Sequence, residues 1–117
     1  MTSGQPGAAT PLAPTSVTAS TLPPGVAIID VREHDEWAAG HVEGSRHLPI
    51  SALPARVGEL PAGDLVVVCR SGHRSGQVVG WLASQGRSAA NLTGGLQGWA
   101  DQGRPLVTDD GRPGRVV

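Results

Sequence analysis

Hydrophobic positions along the chain fall into short runs bounded by turn formers. Val26-Ala27-Ile28-Ile29-Asp30-Val31 follows Pro23-Pro24-Gly25, a pattern that predicts a buried strand. Residues 33–39, EHDEWAA, then predict a short helix, with acids in its first turn and Gly40 as its stop. GHVEGSRHLPI follows as a loop with a short strand at 46–48, and Ser51 can cap a helix through about Glu59. After the turn Pro61-Ala62-Gly63-Asp64, Leu65-Val66-Val67-Val68 predicts a second buried strand, β-branched at three of four positions, with Cys69 at its carboxyl end. Ser75 can cap a helix to about Gln85 whose apolar face is Val78, Val79, Trp81 and Leu82, and Gly86 ends it. Ser88 to Leu92 predicts another strand, and Gly94-Gly95 turns into a last helix, LQGWADQ. Strands alternating with helices predict an α/β domain around a mainly parallel sheet.

The first fifteen residues have no such period. They are Gly, Pro, Ala, Ser and Thr with little else, and predict a disordered tail over 1–15. The domain is expected over 16–107, and residues 108–117 are read as a C-terminal tail. A chain of 117 residues is long enough for one core. Phe and Tyr are absent, so three Trp and the aliphatic residues must fill it. Trp37, Trp81 and Trp99 are all expected there.

Charge narrows the function. Nine Arg and no Lys face ten acids, a net charge of -1, which argues against a nucleic-acid or membrane-surface partner. No stretch approaches the ~20 apolar residues of a membrane span, and the N-terminus lacks the basic and apolar regions of a signal peptide. A single cysteine precludes an internal disulfide, and the expected location is cytoplasmic. The four His and the one Cys show no ligand spacing, so no metal and no other cofactor is expected.

Chemistry concentrates behind the second strand. Ligands of open parallel sheets bind beyond the carboxyl ends of the strands, where Cys69-Arg70-Ser71-Gly72-His73-Arg74 leads into a helix. The helix N-terminus, successive loop N–H groups and two guanidiniums would each favour a thiolate. The alternative is a buried cysteine before an ordinary turn.

The loop CRSGHRS resembles the active-site loop of the single-domain rhodaneses, the sulfurtransferases. IIDVREHDEWAAGHVEGSRHLPI resembles the family's early motif, and NLTGGLQGWADQGRPL its C-terminal one. The resemblance spans roughly residues 16–107 and implies a rhodanese-like α/β domain with a central, mainly parallel five-stranded sheet flanked by helices. It implies Cys69 as the catalytic cysteine that carries a sulfane sulfur as a persulfide. Arg70, Ser71, Gly72, His73 and Arg74 match the loop that surrounds the sulfur and binds the donor. Asp30 and Arg32 match a strand-end pair that supports the site, as a brace or, for Arg32, by direct anion contact. Glu36, His41 and Gly44 match positions taken as mostly structural. His73 is either an exposed loop residue or a group that orients a donor oxygen or supplies a proton.

The implied reaction moves sulfur from a small anionic donor such as thiosulfate to an external acceptor, cyanide or a thiol, protein thiols included. The alternatives are a non-enzymatic rhodanese-like binding module and a carrier loaded by a desulfurase. Related phosphatases have five residues between Cys and Arg, whereas four separate Cys69 from Arg74. By the same resemblance, the smaller cradle is expected to suit a sulfur atom and thiosulfate rather than a phosphate ester.

Overall fold

The computed structural model describes residues 15–117. Five strands form one sheet: β1 (Ser16–Val17), β2 (Ala27–Asp30), β3 (Arg46–His47), β4 (Leu65–Val68) and β5 (Ala90–Leu92). Their order is β1-β5-β4-β2-β3, and every neighbouring pair is parallel. Four α-helices connect and follow them: α1 (His34–Ala39), α2 (Leu53–Arg56), α3 (His73–Ser84) and α4 (Gly95–Asp101). The tail expected over 1–15 lies outside the described residues except for Thr15, whose carbonyl accepts from Asn91 N–H at 2.9 Å.

β4 is the central strand, and all four of its residues are buried. Its side chains alternate between two cores, as a strand covered on both faces requires. Leu65 and Val67 join Ile29, Val31, Leu48, Leu53, Val78 and Leu82 on one face. Val66 and Val68 join Val17, Val42, Leu92, Leu96 and Leu106 on the other. Trp81 and Trp99 are partly buried against the first and second core respectively. Trp37 belongs to neither. It stacks on His41, with ring centroids 3.5 Å apart, and on His47 at 4.9 Å.

Three elements depart from expectation. The helix expected from Ser51 is broken into a 3-10 turn (Ile50–Ala52), the one-turn α2 and another 3-10 turn (Val57–Glu59). α3 begins two residues before Ser75: its N-cap is Gly72, with left-handed backbone at φ 101. Residues 108–117 are not a free tail. Val107 bridges both His41 and Pro113, and a turn at Thr108–Arg112 folds the chain back over the end of α1. There Arg115 N–H donates to Ala39 O at 2.9 Å and Gly114 N–H to Leu106 O at 2.8 Å. The contact is close enough that a Cβ on Gly40 would lie 2.4 Å from Arg115 N. A run of polar and turn residues hides this docking, because backbone groups and small side chains make it.

Candidate active site

The register places the carboxyl ends of β2 and β4 side by side, with Asp30 opposite Val68 and Val31 N–H on Val68 O at 3.1 Å. Cys69 follows β4 directly and is buried. The chain then reverses sharply. α4 enforces the reversal: Leu96 N–H donates to Cys69 O and Gln97 N–H to Arg70 O, each at 2.9 Å. With these carbonyls held on α4, the next N–H groups face the sulfur. Gly95 makes this approach possible. Its φ is 61, and a Cβ there would lie 2.4 Å from Arg70 O.

Three donors converge on the Cys69 Sγ. Gly72 N–H lies at 3.1 Å, Ser75 N–H at 3.4 Å and the Ser75 hydroxyl at 3.3 Å. Burial pushes the thiol pKa up, but hydrogen bonds from the Ser75 hydroxyl and the N–H groups of Ser75, Gly72 and Ser71 outweigh it. The net displacement is downward. A lowered thiol pKa favours the thiolate, which is the reactive form of cysteine.

Ser75, expected as a cap, is fully buried and lies at the third position of α3 instead. Its Oγ is 2.5 Å from Asn91 Oδ1, while Asn91 Nδ2 donates to Gly72 O at 3.0 Å. Asn91 on β5 thus ties the serine and the loop backbone together. Ser75 has one hydroxyl proton and two acceptors for it, the sulfur and Asn91. The sequence does carry a signal for Asn91: a polar residue inside a short apolar strand needs a partner.

The other predicted site residues divide by exposure. Arg70 and Ser71 are exposed on the loop, and His73 is exposed at the first position of α3. Among the described residues Arg70 has no ion-pair partner. Arg74 was expected to bind the donor, but both its terminal nitrogens lie on Glu36, at 2.7 and 2.8 Å. The hydrogen bond from Arg74 lowers the Glu36 pKa to about 2 against the opposing effect of burial, and Glu33 N–H adds to the lowering. Arg74 is pushed up in turn, first by that hydrogen bond, with the Cys69 and Glu33 charges contributing. Glu36, taken as mostly structural from sequence, thus pairs with the arginine at the start of α3.

Asp30 and Arg32 have no exposed side-chain surface. Arg32 Nη2 donates to Asp30 Oδ2 at 2.8 Å and to Gly40 O at 2.7 Å, and Nε reaches both carboxylate oxygens. The pair braces the end of β2 against Gly40. A fully enclosed guanidinium offers no face to a surface anion. His41 is buried, with Nδ1 2.9 Å from Trp37 O, and His47 Nε2 lies 2.7 Å from Arg32 O. Among the described residues no group of three or more His, Cys, Asp or Glu could hold a metal. No helix there is long and apolar enough to cross a membrane.

A parallel α/β domain that presents a cysteine beneath converging loop N–H groups, ahead of a helix, has the architecture of the rhodanese-like class. The family model for the rhodanese-like domain matches residues 18–102, and the chain belongs to that family. It is 39% identical over 88 residues to a sulfurtransferase of Allochromatium vinosum, covering 74% of this chain and 82% of that protein. It is 36% identical over 77 residues to the thiosulfate sulfurtransferase GlpE of Stutzerimonas stutzeri, covering 64% and 71% respectively. A putative sulfur carrier protein of Bacillus subtilis, YrkF, is 32% identical over 74 residues, which are 62% of this chain and 40% of that protein. Among solved structures, a rhodanese-related protein of Thermoplasma volcanium superposes with a TM-score of 0.74 at 31% identity, covering 79% of this chain and 96% of the other.

Proposed function

We propose that the protein is a sulfurtransferase that moves a sulfane sulfur from a donor such as thiosulfate to cyanide or a thiol through a Cys69 persulfide. In the first step the Cys69 thiolate attacks the outer sulfur of thiosulfate. The S–S bond of the donor breaks, and sulfite leaves with the bonding pair. The terminal persulfide sulfur carries the negative charge. In the second step a thiolate or cyanide attacks that sulfur, and Cys69 departs as thiolate. This is double-displacement covalent catalysis.

The observation that carries the reading is the convergence of Gly72 N–H, Ser75 N–H and the Ser75 hydroxyl on one buried sulfur. Such donors stabilise the anion at each stage without needing a general base. Arg70 is the exposed cation that a donor anion meets. The relatives named as sulfurtransferases support the same reading. Phosphate transfer is disfavoured, because the arginine that would embrace a phosphate is engaged by Glu36.

With one cysteine in the chain, no internal thiol can discharge the persulfide. The acceptor is external, a small thiol or a protein thiol. A reducing compartment such as the cytoplasm suits a chain whose single thiol works free.

Initial rates with thiosulfate and cyanide varied together test the proposal. Parallel double-reciprocal lines are expected, with no activity in Cys69→Ser. Intersecting lines, or activity that survives the substitution, would overturn it.

A further inference from the structure

The charge arrangement at the mouth of the site bears on which sulfur donor it takes. Two arginines flank the cysteine loop in sequence, yet they are not equivalent in the fold. Arg74 is held by Glu36 through two parallel hydrogen bonds, a geometry that strongly favours the ion pair. Glu36 is itself pinned, since its Oε1 accepts Glu33 N–H at 3.0 Å across the first turn of α1. Glu33 is exposed, and its charge acts on Arg74 as well. Arg32 is paired with Asp30 and enclosed inside the protein, so it presents no exposed charge. Near the loop this leaves Arg70 as the one exposed cation without an ion-pair partner among the described residues, set against the charge of Glu33 and that of the Cys69 thiolate.

We propose that Glu36 is a specificity-determining residue: by neutralising Arg74 it denies the site the positive field that would gather a small dianion, and so favours persulfide donors R–S–SH of low net charge. The inference rests on the sulfur-transfer reading above and refines its donor. The step balances without another reactant. The Cys69 thiolate attacks the outer sulfur of R–S–SH, the S–S bond of the donor breaks, and R–S⁻ leaves with the bonding pair. The proton of the transferred S–H passes to R–S⁻, giving R–SH and the ionised Cys69 persulfide. Thiosulfate, whose two charges must enter a nearly compensated site, is the poorer donor for the same attack.

Glu36→Gln tests this directly. The amide keeps an oxygen for Arg74 and for Glu33 N–H but removes the charge. The readout is kcat/KM for thiosulfate divided by kcat/KM for cysteine persulfide. This ratio is expected to rise about tenfold in the variant, as a focused positive field raises anion capture. The gain should lie in KM for thiosulfate rather than in kcat. A ratio that is unchanged or falls would show that Glu36 only holds the loop in shape, and would overturn the inference.

A second measurement needs no substitution. In the native protein, sulfur loading from thiosulfate should depend only weakly on ionic strength, because a compensated site has little field to screen. A steep fall with added salt would reveal an uncompensated positive site and contradict the inference. If the native protein takes sulfur from neither donor, the sulfur-transfer reading and the inference fall together. If it takes sulfur from both and the ratio does not respond to Glu36→Gln, the inference alone falls.

Discussion

At the scale of the residue, the groups that hydrogen-bond the Cys69 sulfur are not cationic. The loop sequence draws attention to Arg70 and Arg74, but the sulfur receives its hydrogen bonds from Gly72, Ser75 and, through its N–H, Ser71. Ser75→Ala removes one hydrogen-bond donor from the buried Cys69 sulfur, where it would stabilise the thiolate. A hydrogen bond to a charged group contributes about 1.5–3 kcal/mol, so sulfur loading at neutral pH should slow by about tenfold or more. Because the hydroxyl holds the Cys69 pKa down, its loss should also move the rise of the loading rate to higher pH. Stopped-flow loading across a pH series checks both effects. A profile unmoved by Ser75→Ala would show that the backbone donors suffice.

The buried Asp30–Arg32 pair belongs to the same scale. Removing one partner leaves an uncompensated charge inside the protein, which costs about 3–5 kcal/mol. Asp30→Ala should therefore lower the urea midpoint sharply, and loss of activity would follow the loss of fold. Cys69 was legible in the sequence because reactive chemistry collected behind it at a strand end. The partners of Asn91 and the engagement of Arg74 by Glu36 were not. Each depends on which strands and helices become neighbours, and local spacing does not encode that.

At the scale of the element, the strands were the most legible part. Leu65-Val66-Val67-Val68 is apolar without a break, so it had to be buried on both faces, and β4 occupies those four residues. The segment after Ser51 was less legible. Pro54 and Gly58 break its helical period, and the chain there forms one α-turn between two 3-10 turns. The start of α3 was misread because a serine near a helix start suggests a cap, whereas Gly72 supplies the reversal through its left-handed backbone.

Gly94 and Gly95, at the start of α4, have a specific task. They let the helix N-terminus close on the carbonyls of Cys69 and Arg70. Gly95→Ala meets both a left-handed backbone and a backbone clash. It should destabilise the fold by roughly 3 kcal/mol, measurable as a lower urea midpoint. It should also slow sulfur loading in the fraction that remains folded, because the donor N–H groups turn away from the sulfur.

At the scale of the whole molecule, the C-terminal hairpin closes the domain over α1, and α1 carries Glu36 to Arg74 behind the Cys69 loop. The sequence read these residues as a tail because they lack an apolar period. What seats them is a glycine-to-glycine approach at Gly40 and Gly114 together with backbone hydrogen bonds. Gly40→Ala should therefore lower the melting temperature of the full chain, yet have much less effect in a chain ended at Thr108. Equal effects in both chains would place the strain elsewhere.

The Glu36–Arg74 pair joins α1 to α3 and gives the fold an acid limit. Glu36 has its pKa lowered from 4.5 to about 2, so its contribution is complete above its unfolded-state pKa. That contribution is lost as pH falls through the folded value. Urea unfolding from neutral pH down to about 2 should show stability declining across that window, with a shallower decline in Glu36→Gln.

The central claim is that Cys69 carries sulfur, and intact mass tests it most directly. The protein is incubated with thiosulfate and, separately, with cysteine persulfide, freed of reagent and weighed beside Cys69→Ser. The account predicts a gain of one sulfur atom on the native chain only, reversed by cyanide. A folded native chain that gains no sulfur from either donor, or a gain that persists in Cys69→Ser, would contradict it.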